Sequence, residues 1–80
     1  MYLEIITPDK KVFEGEITSV ILPGTEGSFG VLNNHAAMIS TLGYGEVKIT
    51  DKNQKTQIFT IGGGVVEVVS NKINVLAENV

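Results

Sequence analysis

The sequence predicts an all-β protein of eight to ten short strands, in an antiparallel sandwich or barrel. Three observations carry that prediction. Short apolar runs rich in Val and Ile recur at spacings of roughly 8–12 residues, each stopped by Gly, Pro, Asn or Asp. Two of the runs alternate polar and apolar residues, wholly or in part, on either side of a charged loop, which is the pattern of a hairpin. No segment keeps a helical period long enough to bury one face.

Taken in order, residues 2–6 are β-rich and close on the turn residues Thr7-Pro8-Asp9. Residues 11–13 form a short strand stopped near Gly15. Residues 17–22 are strongly apolar and end at Pro23-Gly24, which fits a type II turn with Pro at its first central position and Gly at its second. Residues 28–32 and 37–42 make two more strands, the latter ended by Gly43-Tyr44-Gly45. Residues 46–50 and 57–61 flank the charged loop 51–55. Gly62-Gly63-Gly64 bends the chain into residues 65–69, Ser70-Asn71 turns it back, and residues 72–76 form the last strand. No linker, repeat or composition shift divides the chain, so residues 1–80 read as one domain.

Eighty residues bury only about 60–65% of the unfolded surface, so stability is marginal and packing must supply it. The absence of cysteine excludes disulfide staples, and one histidine without cysteine excludes a structural zinc site of the usual kind. Nine acids against six lysines give a net charge of −3, and there is no arginine. That balance argues against nucleic-acid binding and against an arginine-clamped phosphate. The aromatics Tyr2, Phe13, Phe29, Tyr44 and Phe59 are scattered and make no stacking platform. The first residues lack a basic start, and no apolar run is long enough to span a bilayer, so no direct membrane insertion is expected.

Between Leu22 and Ala36 the chain collects Gly24, Gly27, Gly30 and its only histidine, His35. A long mixed loop of this kind on a small β-protein is where a partner is most readily met. Phe29 stands out among these turn residues, and sequence does not decide whether it points inward as a plug or outward as an anchor. No serine stands in a Gly-x-Ser-x-Gly elbow that would enlist His35 for catalysis. Gly62-Gly63-Gly64 lacks the Lys-Ser/Thr of a phosphate loop and reads as a bend between strands. Lys52, at the tip of the charged hairpin, raises an alternative: lipoyl and biotinyl carrier domains present one lysine at such a tip. Here the triplet is Asp51-Lys52-Asn53, whereas lipoyl domains typically have Asp-Lys-Ala.

Several motifs then agree in order and spacing. Val12-Phe13-Glu14-Gly15, Ile21-Leu22-Pro23-Gly24-Thr25-Glu26-Gly27-Ser28-Phe29-Gly30-Val31 and His35-Ala36 resemble the N-terminal domain of the epsilon subunit of F-type ATP synthase. The later segments Gly45-Glu46-Val47-Lys48-Ile49, Gly63-Gly64-Val65-Val66-Glu67-Val68 and Val75-Leu76-Ala77-Glu78 continue the resemblance over nearly the whole chain. The resemblance implies an all-β fold, an antiparallel β-sandwich of about ten short strands in two sheets, and a non-catalytic rotor part of the central stalk that needs no cofactor. It would grip the gamma subunit, rest on the polar loops of the c-ring, and couple proton-driven rotation to the catalytic head. It would lie peripherally on the cytoplasmic face of a bacterial inner membrane.

Residue by residue, the resemblance assigns Glu26, Gly27, Ser28, Phe29 and Gly30 to the c-ring side. It assigns Thr7, His35, Met38 and Ser40 to the gamma side. Two departures matter. Ser28 stands where many members carry an acid, and Ala37 stands where many carry proline, which loses a fixed φ. Longer members continue into a helical hairpin that can brake ATP hydrolysis and, in some, bind ATP. Should 80 residues be the natural length, neither ATP binding nor that brake is expected.

Overall fold

The computed structural model describes residues 1–80, all of them in strands, turns and short connections. Nine strands form: β1 (Tyr2–Ile6), β2 (Lys11–Glu16), β3 (Ser19–Gly24), β4 (Gly27–Leu32), β5 (Met38–Leu42), β6 (Gly45–Thr50), β7 (Thr56–Ile61), β8 (Gly64–Val69) and β9 (Lys72–Ala77). No helix is long and apolar enough to cross a membrane.

The strands make two layers joined at one corner. One layer runs β2-β1-β9-β8-β5, and the other runs β4-β3-β6-β7. Between β3 and β5 the only paired residues are Gly24 and Leu42, so the ladder is continuous but the sheet folds back on itself there. Inward-facing residues alternate along the strands and meet in one core. Leu3, Ile5, Val66, Val68, Ile73 and Val75 come from the first layer, and Val20, Leu22, Val31, Val47 and Ile49 from the second. All of these are essentially inaccessible, and no polar side chain is buried with them. The seam opposite the corner is closed by side chains: Phe13 of β2 and Phe59 of β7 tilt against each other with ring centroids 6.0 Å apart.

The nine strands fall within the eight to ten that the sequence predicts, and they coincide with its nine apolar runs. Other features differ from the expectation. The sheet is mixed, because β1 pairs β9 in parallel while every other ladder is antiparallel. Turn residues set the direction of consecutive strands only, and β1 and β9 are joined by no turn. Pro23-Gly24 is not a turn. Both residues belong to β3, opposite Ser28 and Gly27, and the chain reverses at Thr25-Glu26. The positive φ falls on Gly27, at 127°. The Pro23 carbonyl accepts a hydrogen bond from the Gly43 amide at 2.8 Å, so proline sits in a strand without wasting its acceptor. Gly15, read as a strand stop, lies inside β2 opposite Leu3. At the β8–β9 turn the chemistry holds: Ser70 and Asn71 both take positive φ, as a two-residue hairpin turn requires.

Candidate functional site

The β3–β4 hairpin is built by close approach. A side chain at Gly24 would meet the Gly27 carbonyl at 2.6 Å and the Phe29 ring at 2.9 Å, so the ring packs against the bare Gly24 backbone. Phe29 is half-buried and packs on the core, which settles its direction. It is a plug that supports the hairpin from below. The tip is tied to the other layer. The Thr25 amide donates to the Thr41 carbonyl at 3.2 Å, and the two threonine hydroxyls are 2.8 Å apart.

This tie creates a groove of about 600 Å³ between the hairpin and β5. Glu26, Gly27, Ser28 and Phe29 line one wall, and Ile39, Ser40 and Thr41 line the other. Gly30 is not part of it; it lies opposite Ile21 within the ladder. Ser40, assigned from sequence to the other partner, therefore shares a groove with four of the five hairpin residues.

Thr7 lies at the same end of the molecule. Its hydroxyl accepts from the Lys10 amide at 3.2 Å, and its own amide donates to the Lys10 carbonyl at 2.9 Å. This closes the β1–β2 turn. Thr7 lines a second groove of about 670 Å³, floored by Ile6, Val65 and Leu76 and reaching the glycine bend 62–64. Within that bend Gly63 and Gly64 take positive φ, and a Cβ on Gly64 would run into the Leu76 carbonyl. The triple glycine is thus a tight bend that seats β8 against β9, as its sequence suggested.

His35 sits elsewhere, before the first residue of β5. Its amide donates to the Leu32 carbonyl at 3.2 Å, and its Nδ1–H donates to the Ala36 carbonyl at 2.8 Å. Next to it the Asn34 amide donates to the Asn71 side chain, linking this loop to the β8–β9 turn. The strand directions place Thr7 and His35 at opposite ends of the first layer, because β1, β9 and β5 all run the same way. Met38 and Ser40 are half-buried on the inward side of β5, and Met38 packs on the core.

The residues that β5 shows to solvent are Ile39, 72% exposed, and Thr41. Across the outer face, Thr41 pairs with Val65, Val65 with Leu76, and Leu76 with Ile6. A second row runs Ile39, Glu67, Asn74, Glu4. Leu76 is 53% exposed, so this face offers an apolar strip beside acids. The sequence signal for it was present in Val65-Val66-Glu67-Val68-Val69, whose valines fall on both faces of the strand. At the far edge Lys11 is clasped by Glu4 at 3.0 Å and Glu14 at 2.9 Å. Hydrogen bonds to Tyr2 and Lys11 hold the Glu14 carboxyl below the usual range, and the Lys11 ammonium is raised, chiefly by Glu14. Lys52 stands on an exposed loop organised by Asp51, whose carboxylate accepts from the amides of Asn53 and Lys55 at 2.8 and 3.0 Å.

Fold and surfaces together define a small β-sandwich with two grooves at one end and an apolar strip on one face. The family pattern described as ATP synthase, Delta/Epsilon chain, beta-sandwich domain matches residues 1–80, and the chain belongs to that family. It is 45% identical over 78 residues to the ATP synthase epsilon chain of Campylobacter curvus, covering 98% of this chain and 60% of that one. It is 42% identical over 76 residues to the epsilon chain of Helicobacter pylori, covering 95% of this chain and 61% of the relative. The chain thus spans about 60% of the length of these relatives. Among solved structures, a chain of the Euglena gracilis mitochondrial ATP synthase (OSCP/F1/c-ring) superposes with a TM-score of 0.91 at 20% identity, over 96% of this chain and 49% of that one. A chain of the Tetrahymena thermophila mitochondrial ATP synthase central stalk and c-ring superposes with 0.79 at 22% identity, over 98% and 63%. At those identities the superpositions speak for the fold. The carrier reading of Lys52 gains no support from these relatives.

Proposed function

We propose that this chain is a non-catalytic rotor element of an F-type ATP synthase, joining the gamma subunit to the c-ring during proton-driven ATP synthesis. The observation that carries the proposal is the match of residues 1–80 to the delta/epsilon β-sandwich family. The surfaces fit the task. The tip of the β3–β4 hairpin, with Glu26, Gly27 and Ser28, meets the polar loops of the c-ring. Phe29 and Gly30 act from within that hairpin, as plug and ladder residue. The outer face of the first layer meets gamma, with Ile39, Thr41, Val65 and Leu76 as its apolar centre. Thr7, Met38 and Ser40 border or support that face, and His35 marks its other end.

Torque needs a stiff path. A load on the hairpin tip passes through the Thr25–Thr41 bonds and the Pro23–Gly43 bond into β5, and from β5 through β8 and β9 to the outer face. Covering the exposed part of a side chain such as Ile39 contributes on the order of 1–2 kcal/mol, so a few such residues suffice for a durable grip. In this role the chain works peripherally on the cytoplasmic face of a bacterial inner membrane, through protein contacts alone. Size-exclusion chromatography with the cognate gamma subunit tests the proposal. Co-elution at micromolar concentration is expected; separate elution would overturn it.

A further inference from the structure

We infer that the outer edge of β7 is a self-recognition site, through which two copies of this chain pair antiparallel across a two-fold axis at Ile58. β7 is bonded on one side only, to β6. The Asp51 amide bonds the Lys55 carbonyl, and Asp51 and Lys55 flank the paired residues Thr50 and Thr56. Bonded pairs in an antiparallel ladder alternate. Gln57, Phe59 and Ile61 therefore turn their backbone groups toward β6, and Thr56, Ile58 and Thr60 turn theirs outward. Edge strands normally defend such a row with charge, proline or a bulge. The opposite edge does so: β2 carries Lys11, Glu14 and Glu16, and its ladder with β1 shifts register between Ile5 and Ile6. The β4 edge is uncharged but carries Gly27 and Gly30 in its six residues, which leaves it a poor template. β7 has no charge, no proline and no glycine. Its exposed residues include Ile58, which is 55% accessible.

The sequence of this edge is its own complement. Thr56-Gln57-Ile58-Phe59-Thr60 reads Thr-x-Ile-x-Thr in either direction. Reversed against itself about Ile58, it sets Ile58 against Ile58 and Thr56 against Thr60, both favourable cross-strand pairs. All the outward backbone groups find partners in about six hydrogen bonds. No charge on β7 opposes the approach, and the second copy brings the same uncharged strand. A foreign strand would match this register only by chance, which selects a second copy of the chain as occupant. The contact is narrow, below the roughly 1,200 Å² of standard interfaces, so the dimer is weak and fills as concentration rises. The inference is independent of the rotor proposal.

Sedimentation equilibrium of the full chain from 10 µM to 1 mM tests it, alongside amide hydrogen exchange at both ends of that range. The mass is expected to rise from 8.6 kDa toward twice that value, with exchange at Thr56, Ile58 and Thr60 slowed only at high concentration. Ile58→Lys sets two like charges at the axis and is expected to weaken dimerisation about tenfold or more, while keeping the wild-type circular dichroism. Ile39→Lys, on the other layer, is expected to leave dimerisation unchanged. A constant monomer mass at 1 mM would overturn the inference. So would a dimer lost in Ile39→Lys but kept in Ile58→Lys.

Discussion

The three glycines of the β3–β4 region have three different physical reasons to be there, and replacing each by alanine separates them. At Gly24 a Cβ falls 2.6 Å from the Gly27 carbonyl and 2.9 Å from the Phe29 ring, closer than Cβ atoms tolerate. Backbone and ring must both move, and overpacking of this kind costs about 1–3 kcal/mol. At Gly27 nothing lies within 4 Å, but φ is 127°, a conformation that costs an alanine about 1–3 kcal/mol. At Gly30 the nearest atom is the Val20 carbonyl at 3.8 Å and φ is not positive. Alanine there is expected to be neutral, or stabilising by up to about 1 kcal/mol through the unfolded chain. A domain of this size has a total stability of about 4–12 kcal/mol, so Gly24→Ala takes a sizeable share. In thermal unfolding, 2 kcal/mol amounts to a fall of about 8–16 °C. Trimming the ring with Phe29→Leu relieves part of the Gly24→Ala cost, and the double mutant should be better than additive by about 0.5 kcal/mol or more. Urea unfolding of the five variants reads these values directly. Gly30→Ala falling as far as Gly24→Ala, or Gly24→Ala matching the wild type, would refute the close-approach account of this hairpin.

Further outcomes follow from the same geometry. Ile73→Ala, at a site with no solvent access, is expected to cost about 2–5 kcal/mol in urea unfolding. Ile39→Ala is expected to change stability by less than about 0.5 kcal/mol yet to weaken co-elution with gamma, because its side chain is bare until a partner arrives. Thr25→Val removes the hydroxyl pair with Thr41 and is expected to cost about 1 kcal/mol or less while speeding amide exchange at the hairpin tip. Glu14, held below its ordinary value of 4.5, stabilises the fold above that value, and the contribution is lost as pH falls through the lowered value. Lys11, raised above 10.5, contributes fully below that value and loses its share only at higher pH. The urea midpoint should therefore be level near neutrality and fall on the acid side, and Glu14→Gln should flatten that fall.

The nine strands were legible because most apolar runs end close to residues with turn chemistry, from Pro8-Asp9 to Ser70-Asn71. What was not legible involves contacts distant in sequence. The parallel pairing of β1 with β9 has no local marker, since no loop joins them. Pro23-Gly24 has the composition of a turn, yet Gly24 is needed for the approach of Phe29, a residue on the returning strand. The same contact settles Phe29, whose direction depends on a bare backbone five positions earlier. On β5 the run Met38-Ile39 is apolar on both faces, so the alternation does not say which residue is buried. The ladder with β8 does, turning Met38 in and Ile39 out. The apolar strip of Ile39, Val65 and Leu76 was therefore missed, although the doubled valines of β8 announced a strand with two apolar faces.

In the rotor proposal one small sandwich meets two partners, the c-ring at the β3–β4 tip and gamma on the outer face of the first layer. The chain has no cysteine, so single-cysteine variants report one position each. In the assembled ATP synthase, Ser28→Cys and Leu76→Cys carrying short cross-linkers should give different products, Ser28→Cys with a c subunit and Leu76→Cys, on the outer face and away from the hairpin groove, with gamma. Capture of the same partner from both positions, or of neither partner from either, would contradict the account.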